Sequence, residues 1–164
     1  MTKRLIVLRH AKATHKPGFA DEDRPLTGRG RHDADAAGEW MRVRQLIPDL
    51  VLCSSSRRTR ETWDRVALAM RAGPGIEVFY DSRLYLADDD ATLDVIAETP
   101  DDTGTLLIVG HNPAAQQIVC GLTGQGDLAF PTCAIAVIDL GSWVRLVPGA
   151  GTAHSFWTPG SAEA

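Results

Sequence analysis

The sequence predicts a three-layer α/β fold in which a mostly parallel sheet carries helices on both faces. Three short runs, "RLIVL" (4–8), "DLVLCS" (49–54) and "TLLIVG" (105–110), are apolar throughout rather than at every second residue, the pattern of strands buried on both sides. Segments with helical periodicity separate them, the alternation that builds a parallel sheet. No repeat, low-complexity tract or linker interrupts the 164 residues, so one domain over 1–164 is expected, with a frayed tail from about Thr158.

After the first strand comes a polar loop with Lys16, Pro17, Gly18 and the charged run Asp21 to Arg24, expected to be exposed. A helix begins at Thr27, whose hydroxyl suits an N-cap, and carries Ala34, Ala37, Trp40 and Met41 on one face until Pro48. Beyond the second strand, Trp63, Val66, Ala67 and Met70 recur at i, i+3, i+4 and i+7, which predicts a helix from about Arg57 to Arg71, closed by Gly73, Pro74 and Gly75. "IEVFY" (76–80) reads as a strand and "ATLDVIAET" (91–99) as a helix. "PAAQQIVCGL" (113–122) puts Pro113 in the favoured first turn of another helix. At the end, "AIAVIDL" (134–140) and "WVRLVP" (143–148) predict a closing hairpin with Gly141 near its turn.

A formal charge of −4 and a pI near 5.7 argue against nucleic acid or an anionic membrane as partner, so any anion must be met by a local cluster. The longest apolar stretches fall well short of the roughly 20 residues needed to span a bilayer. Between "MTKR" and Arg9 there are only four apolar residues, too few for a signal-peptide core, and a cytoplasmic protein is expected. Cys53, Cys120 and Cys133 are odd in number and widely spaced, which reads as reduced structural thiols.

In sheets of this kind ligands bind beyond the carboxyl ends of the strands. There the first strand delivers Arg9 and His10, the second ends at "CSSSRR" with Arg57 and Arg58 just beyond, and the third buried strand ends at His111 in "VGHNP". Two histidines and at least two arginines converging on one cleft suit a phosphoryl group, because the guanidinium fork matches phosphate oxygens. Each residue alone reads more simply as structural; the weight lies in the set. His10 and His15 lack helical spacing, and no HExxH or Cys-rich pattern occurs, so no metal or other cofactor is expected. His32 on a helix surface and His154 in a polar tail read as structural.

"LRHAKA", "SSSRRTRET" and "VGHNP" resemble, in order and spacing, the motifs of the histidine phosphatase superfamily, and the short length and "RHAKA" form look most like its SixA-type phosphohistidine phosphatases. The resemblance implies a phosphoglycerate-mutase-like α/β fold, with His10 as nucleophile and Arg9, Arg58 and His111 as the phosphate pocket. Aligning Ser54 with the first serine of the motif selects Arg58 over Arg57 and puts the motif threonine at Thr62.

Many relatives carry a Glu general acid where this chain reads "SRLYLADDD", with Tyr85 or Leu86 in its place and Asp88 a few residues on. An alkoxide leaving group needs a proton in the transition state, whereas imidazole leaves a phosphoramidate far more easily, so the gap favours a phosphohistidine substrate. The 52 residues between Arg58 and His111 also leave no room for an inserted cap, and an open cleft admits a phosphorylated side chain still attached to a protein. The expected activity is therefore metal-independent dephosphorylation of phosphohistidine on a signalling or phosphotransfer protein. The alternatives are a small-molecule phosphomonoesterase, acting on a sugar phosphate or nucleotide with Asp88 as acid, and a non-catalytic phosphate-binding module.

Overall fold

Strand β1 (Lys3–Arg9) lies near the middle of a six-stranded sheet in the computed structural model, which describes residues 2–161. The other elements follow as α1 (Gly28–Val43), β2 (Leu50–Ser54), α2 (Arg57–Met70), β3 (Glu77–Asp81), α3 (Asp89–Ile96), β4 (Thr105–Gly110), α4 (Ala114–Thr123), β5 (Ile135–Leu140) and β6 (Thr152–Trp157). The spatial order is β3-β2-β4-β1-β5-β6. Strands β3, β2, β4 and β1 are mutually parallel, and β5 is antiparallel to both β1 and β6, so β5 alone runs against the rest.

Successive side chains of a strand point to opposite faces, and the core divides accordingly. Ile6, Leu8, Val51, Leu107 and Val109 pack with Ala34, Ala37, Trp40 and Met41 of α1 and Trp63, Val66 and Met70 of α2. Leu5, Val7, Leu106 and Ile108 pack on the other side with Val95 and Ile96 of α3 and Ile118, Val119 and Leu122 of α4. Each fully buried aliphatic side chain contributes roughly 1.5–3 kcal/mol, so two such layers hold the central strands from both sides. The apolar stripes expected of α1 and α2 are the faces that are buried. Gly38 lets those helices touch, since a Cβ there would lie 2.5 Å from the Val66 carbonyl oxygen.

Three expectations are corrected. Thr27 does cap α1, its side chain accepting from the Gly30 amide, but the helix stops at Val43 and turns through Gln45 at φ 56 before Pro48 is reached. Pro113 is the N-cap of α4 rather than its first residue. The hairpin partner of β5 is Thr152–Trp157, and "WVRLVP" forms no strand. In that segment only Trp143 is fully buried, its Nε1 donating to the Thr103 carbonyl at 3.0 Å. His154, expected in a polar tail, is exposed on β6. From Thr158 to Ser161 the chain turns, the Thr158 amide donating to Ser161 Oγ; the last part of the expected frayed tail lies outside the described residues.

Cys53 and Cys133 are buried and unbridged, and burial pushes the Cys53 thiol up to about 12. None of the described helices is long and apolar enough to cross a membrane.

Candidate active site

The chain runs outward through β1, β2 and β3 with α1 and α2 on one face, then returns to insert β4 between β2 and β1. That reversal opens a crevice at the carboxyl ends of the three central strands. Arg9 and Gly110 are paired in register, so the next residues, His10 and His111, emerge side by side with ring centroids 5.3 Å apart. Arg58 reaches them from the first turn of α2. All four expected residues, Arg9, His10, Arg58 and His111, line one cavity of about 580 Å³.

His10 is the most tightly held of them. Its amide donates to the Gly110 carbonyl and its carbonyl accepts from the Cys133 amide, both at 3.0 Å. Nδ1 lies 2.7 Å from the Ala11 carbonyl oxygen. A carbonyl only accepts, so Nδ1 carries the proton and Nε2 keeps its lone pair. Burial lowers the imidazole pKa to about 3 against the opposing pull of that carbonyl, and the charges of His111, Arg58 and Arg9 add to the lowering. The ring is thus neutral across the physiological range. Thr62 fixes the same turn from below, accepting from the Ala11 amide at 2.9 Å and donating to the Arg58 carbonyl at 2.7 Å.

His111 is also neutral, lowered to about 4 by burial and then by the charge of Arg58. Its Nδ1 is 3.4 Å from Arg58 Nη2, which can only donate, so Nε2 bears the proton and donates to Ser54 Oγ at 2.8 Å. Arg9 Nη1 donates to the Phe130 carbonyl at 3.2 Å. Arg9 and Arg58 both line the cavity, and the Nε atom of each is buried without a hydrogen-bond partner.

Several neighbours were not legible in the sequence. Asp21, in a short 3₁₀ turn (Asp21–Asp23), accepts from Arg58 Nη1 through its carbonyl at 2.8 Å and lies 3.2 Å from Nη2 through Oδ2. Tyr85 donates a hydrogen bond to the same carboxylate. That bond, then the charge of Arg58, hold the Asp21 pKa down to about 2 against partial burial. The loop is exposed, as expected, and Asp21 fastens it to Arg58 beside the cleft. Lys12, His15 and Arg24 add to the lining, as do Leu86 and Ala87. Asp88 is elsewhere: it caps α3, accepting from the Ala91 amide at 2.8 Å. No carboxylate among the described residues lines the cavity.

A family model described as histidine phosphatase superfamily (branch 1) matches residues 5–85. An uncharacterized protein of Mycobacterium tuberculosis H37Rv is 36% identical over 163 residues, covering 93% of this chain and 99% of its own. One from Mycobacterium leprae is 38% identical over 153 residues, covering 85% and 91%. Two solved structures assigned as phosphohistidine phosphatase SixA superpose with a TM-score of 0.83. The one from Nakamurella multipartitia is 28% identical and covers 98% of both chains. The one from Agrobacterium tumefaciens is 29% identical and covers 96% of this chain and 98% of its own. The matches agree with the α/β architecture and the strand-end motifs, and the chain belongs to the histidine phosphatase superfamily, as a SixA-like member with the phosphoglycerate-mutase-like fold.

Proposed function

We propose that the protein is a metal-independent phosphatase that removes phosphate from phosphohistidine on another protein through a phosphohistidine intermediate on His10. The observation that supports this reading is the make-up of the cavity: a neutral imidazole with an available Nε2, the guanidinium groups of Arg9 and Arg58 beside it, and no carboxylate in the lining.

In the first step Nε2 of His10 forms a bond to phosphorus as the phosphorus–nitrogen bond of the substrate breaks. With the far ring nitrogen of the substrate protonated, the leaving group departs as neutral imidazole and needs no general acid. His10 keeps its Nδ1 proton on the Ala11 carbonyl and becomes the phosphorylated partner, so bond broken and bond formed are of one kind. Arg9 and Arg58 neutralise the equatorial oxygens, and His111 joins them once the bound dianion raises its affinity for a proton at Nδ1. Water then attacks phosphorus in line, the bond to Nε2 breaks with its electron pair returning to the His10 ring, and both water protons leave on inorganic phosphate as H2PO4−.

The test is phosphate release from a phosphohistidine protein and from p-nitrophenyl phosphate, in EDTA, with His10→Ala as control. Strong preference for phosphohistidine, lost in His10→Ala together with an acid-labile phosphoenzyme, is expected. Faster ester hydrolysis would instead favour a phosphomonoesterase, and no release from either, with no phosphoenzyme, a binding module.

A further inference from the structure

The cavity is larger than the phosphoryl group it would process; about 580 Å³ falls in the range of sites that also enclose what the phosphate is attached to. Part of its remaining wall is basic. Lys12, His15 and Arg24 line it beside Arg9 and Arg58, in a chain whose net charge is −4. One carboxylate, Asp21, serves both Arg24 and Arg58. Lys12 has no ion-pair partner among the described residues. With both buried histidines neutral, four cations and one anion leave a surplus of positive charge beyond what a phosphoryl dianion neutralises.

Lys12 is also rigidly mounted. Its carbonyl accepts from the Thr27 amide at 2.9 Å and from the Thr27 hydroxyl at 3.3 Å. Gly30 packs so closely beneath it that a Cβ would lie 2.1 Å from the same oxygen. A bridge between Ala13 and Leu26 continues this pairing, and the Thr14 amide donates to the Pro25 carbonyl at 2.9 Å. The segment after His10 is thus a short ribbon tied to the start of α1, with an exposed ammonium group at the cleft.

We infer that Lys12, His15 and Arg24 form a second, anion-binding subsite that selects phosphohistidines flanked by acidic residues. The inference rests on the phosphohistidine reading and narrows its substrate class: the phosphoryl group occupies the floor, and a carboxylate from the same protein surface meets Lys12 at the wall. Such a contact speeds encounter and sharpens choice of partner.

The experiment uses three synthetic peptides, each with one chemically phosphorylated histidine, flanked by acidic, neutral or lysine residues. Wild type is expected to hydrolyse the acidic peptide best, about tenfold above the lysine peptide at low ionic strength, with the gap closing as salt rises. Lys12→Glu should narrow or invert that order and Lys12→Arg should preserve it, circular dichroism confirming that both variants fold. Wild type indifferent to the flanks, or Lys12→Glu keeping the wild-type order, would overturn the subsite while leaving phosphohistidine hydrolysis intact. No hydrolysis of any of the peptides would remove the phosphohistidine reading and the subsite with it.

Discussion

Oδ2 of Asp21 lies 3.2 Å from Nη2 of Arg58, so the protein holds one of its own carboxylates against a guanidinium of the candidate phosphate site. The carboxylate orients the fork, yet its charge opposes any anion that approaches the same arginine. Asp21→Asn keeps an acceptor for Arg58 and removes the charge. Inhibition by orthovanadate, a phosphate-shaped oxyanion, should tighten roughly three- to tenfold, read as a lower Ki. A higher Ki would mean that orienting Arg58 outweighs repulsion.

Thr62 touches neither pocket nor ligand but ties the Ala11 amide to the Arg58 carbonyl. Thr62→Val keeps the shape and leaves the buried Ala11 amide without an acceptor, at a cost of about 1–3 kcal/mol in stability. Because the same turn aims the proposed nucleophile, kcat should fall roughly tenfold or more with KM little changed, and Thr62→Ser should restore it. A stability loss with unchanged kcat would limit Thr62 to a structural role.

His10 and His111 have pKa values lowered from 6.5 to about 3 and about 4, chiefly by burial. Between those values and 6.5 the unfolded chain binds more protons than the folded one, so stability falls as pH falls. Their contribution is fully present above pH 6.5 and drains away toward pH 3–4. The urea midpoint should therefore be lower at pH 5 than at pH 7.5, and the difference should shrink in a His10→Gln, His111→Gln double variant. Asp21 adds a separate loss below about pH 3.8 as its carboxylate protonates.

Gly30→Ala would press a methyl group onto the Lys12 carbonyl oxygen, 2.1 Å away with neither backbone free to yield. A cost of about 1–3 kcal/mol is expected, seen as a lower Tm in thermal unfolding. Gly28→Ala, with only the tip of Arg31 nearby, should cost less.

The fold was readable because four of the strands are apolar on both faces or nearly so, and because the stripes of α1 and α2 match their buried sides. The closing hairpin was misread for a physical reason. Strand β6 is an edge strand on which only Trp157 is fully buried, stacked near Trp40, so "TAHSFW" carries no apolar run, while "WVRLVP" imitates one around a single buried tryptophan. The four pocket residues stood out because each follows a readable strand or starts a readable helix. Asp21, Tyr85 and the Lys12 wall did not, because their place depends on how two loops fold back over the sheet. Nothing local in "DEDR" says that its first carboxylate will meet an arginine 37 residues away.

The insertion of β4 between β2 and β1 has a consequence for how the molecule opens. Native proteins fluctuate by local unfolding that begins at edges and loops and reaches the centre of a sheet last. Here His10 and His111 follow directly on the two innermost strands, so the amides of those strands, and that of His10 bonded to the Gly110 carbonyl, should exchange with solvent about as slowly as global unfolding allows. The 16–23 stretch, held to Arg58 through Asp21, is exposed and should exchange early. The proposed reacting groups and the loop fastened to Arg58 thus occupy opposite ends of the range of local stability, so the loop can rearrange while the His10 imidazole stays in place.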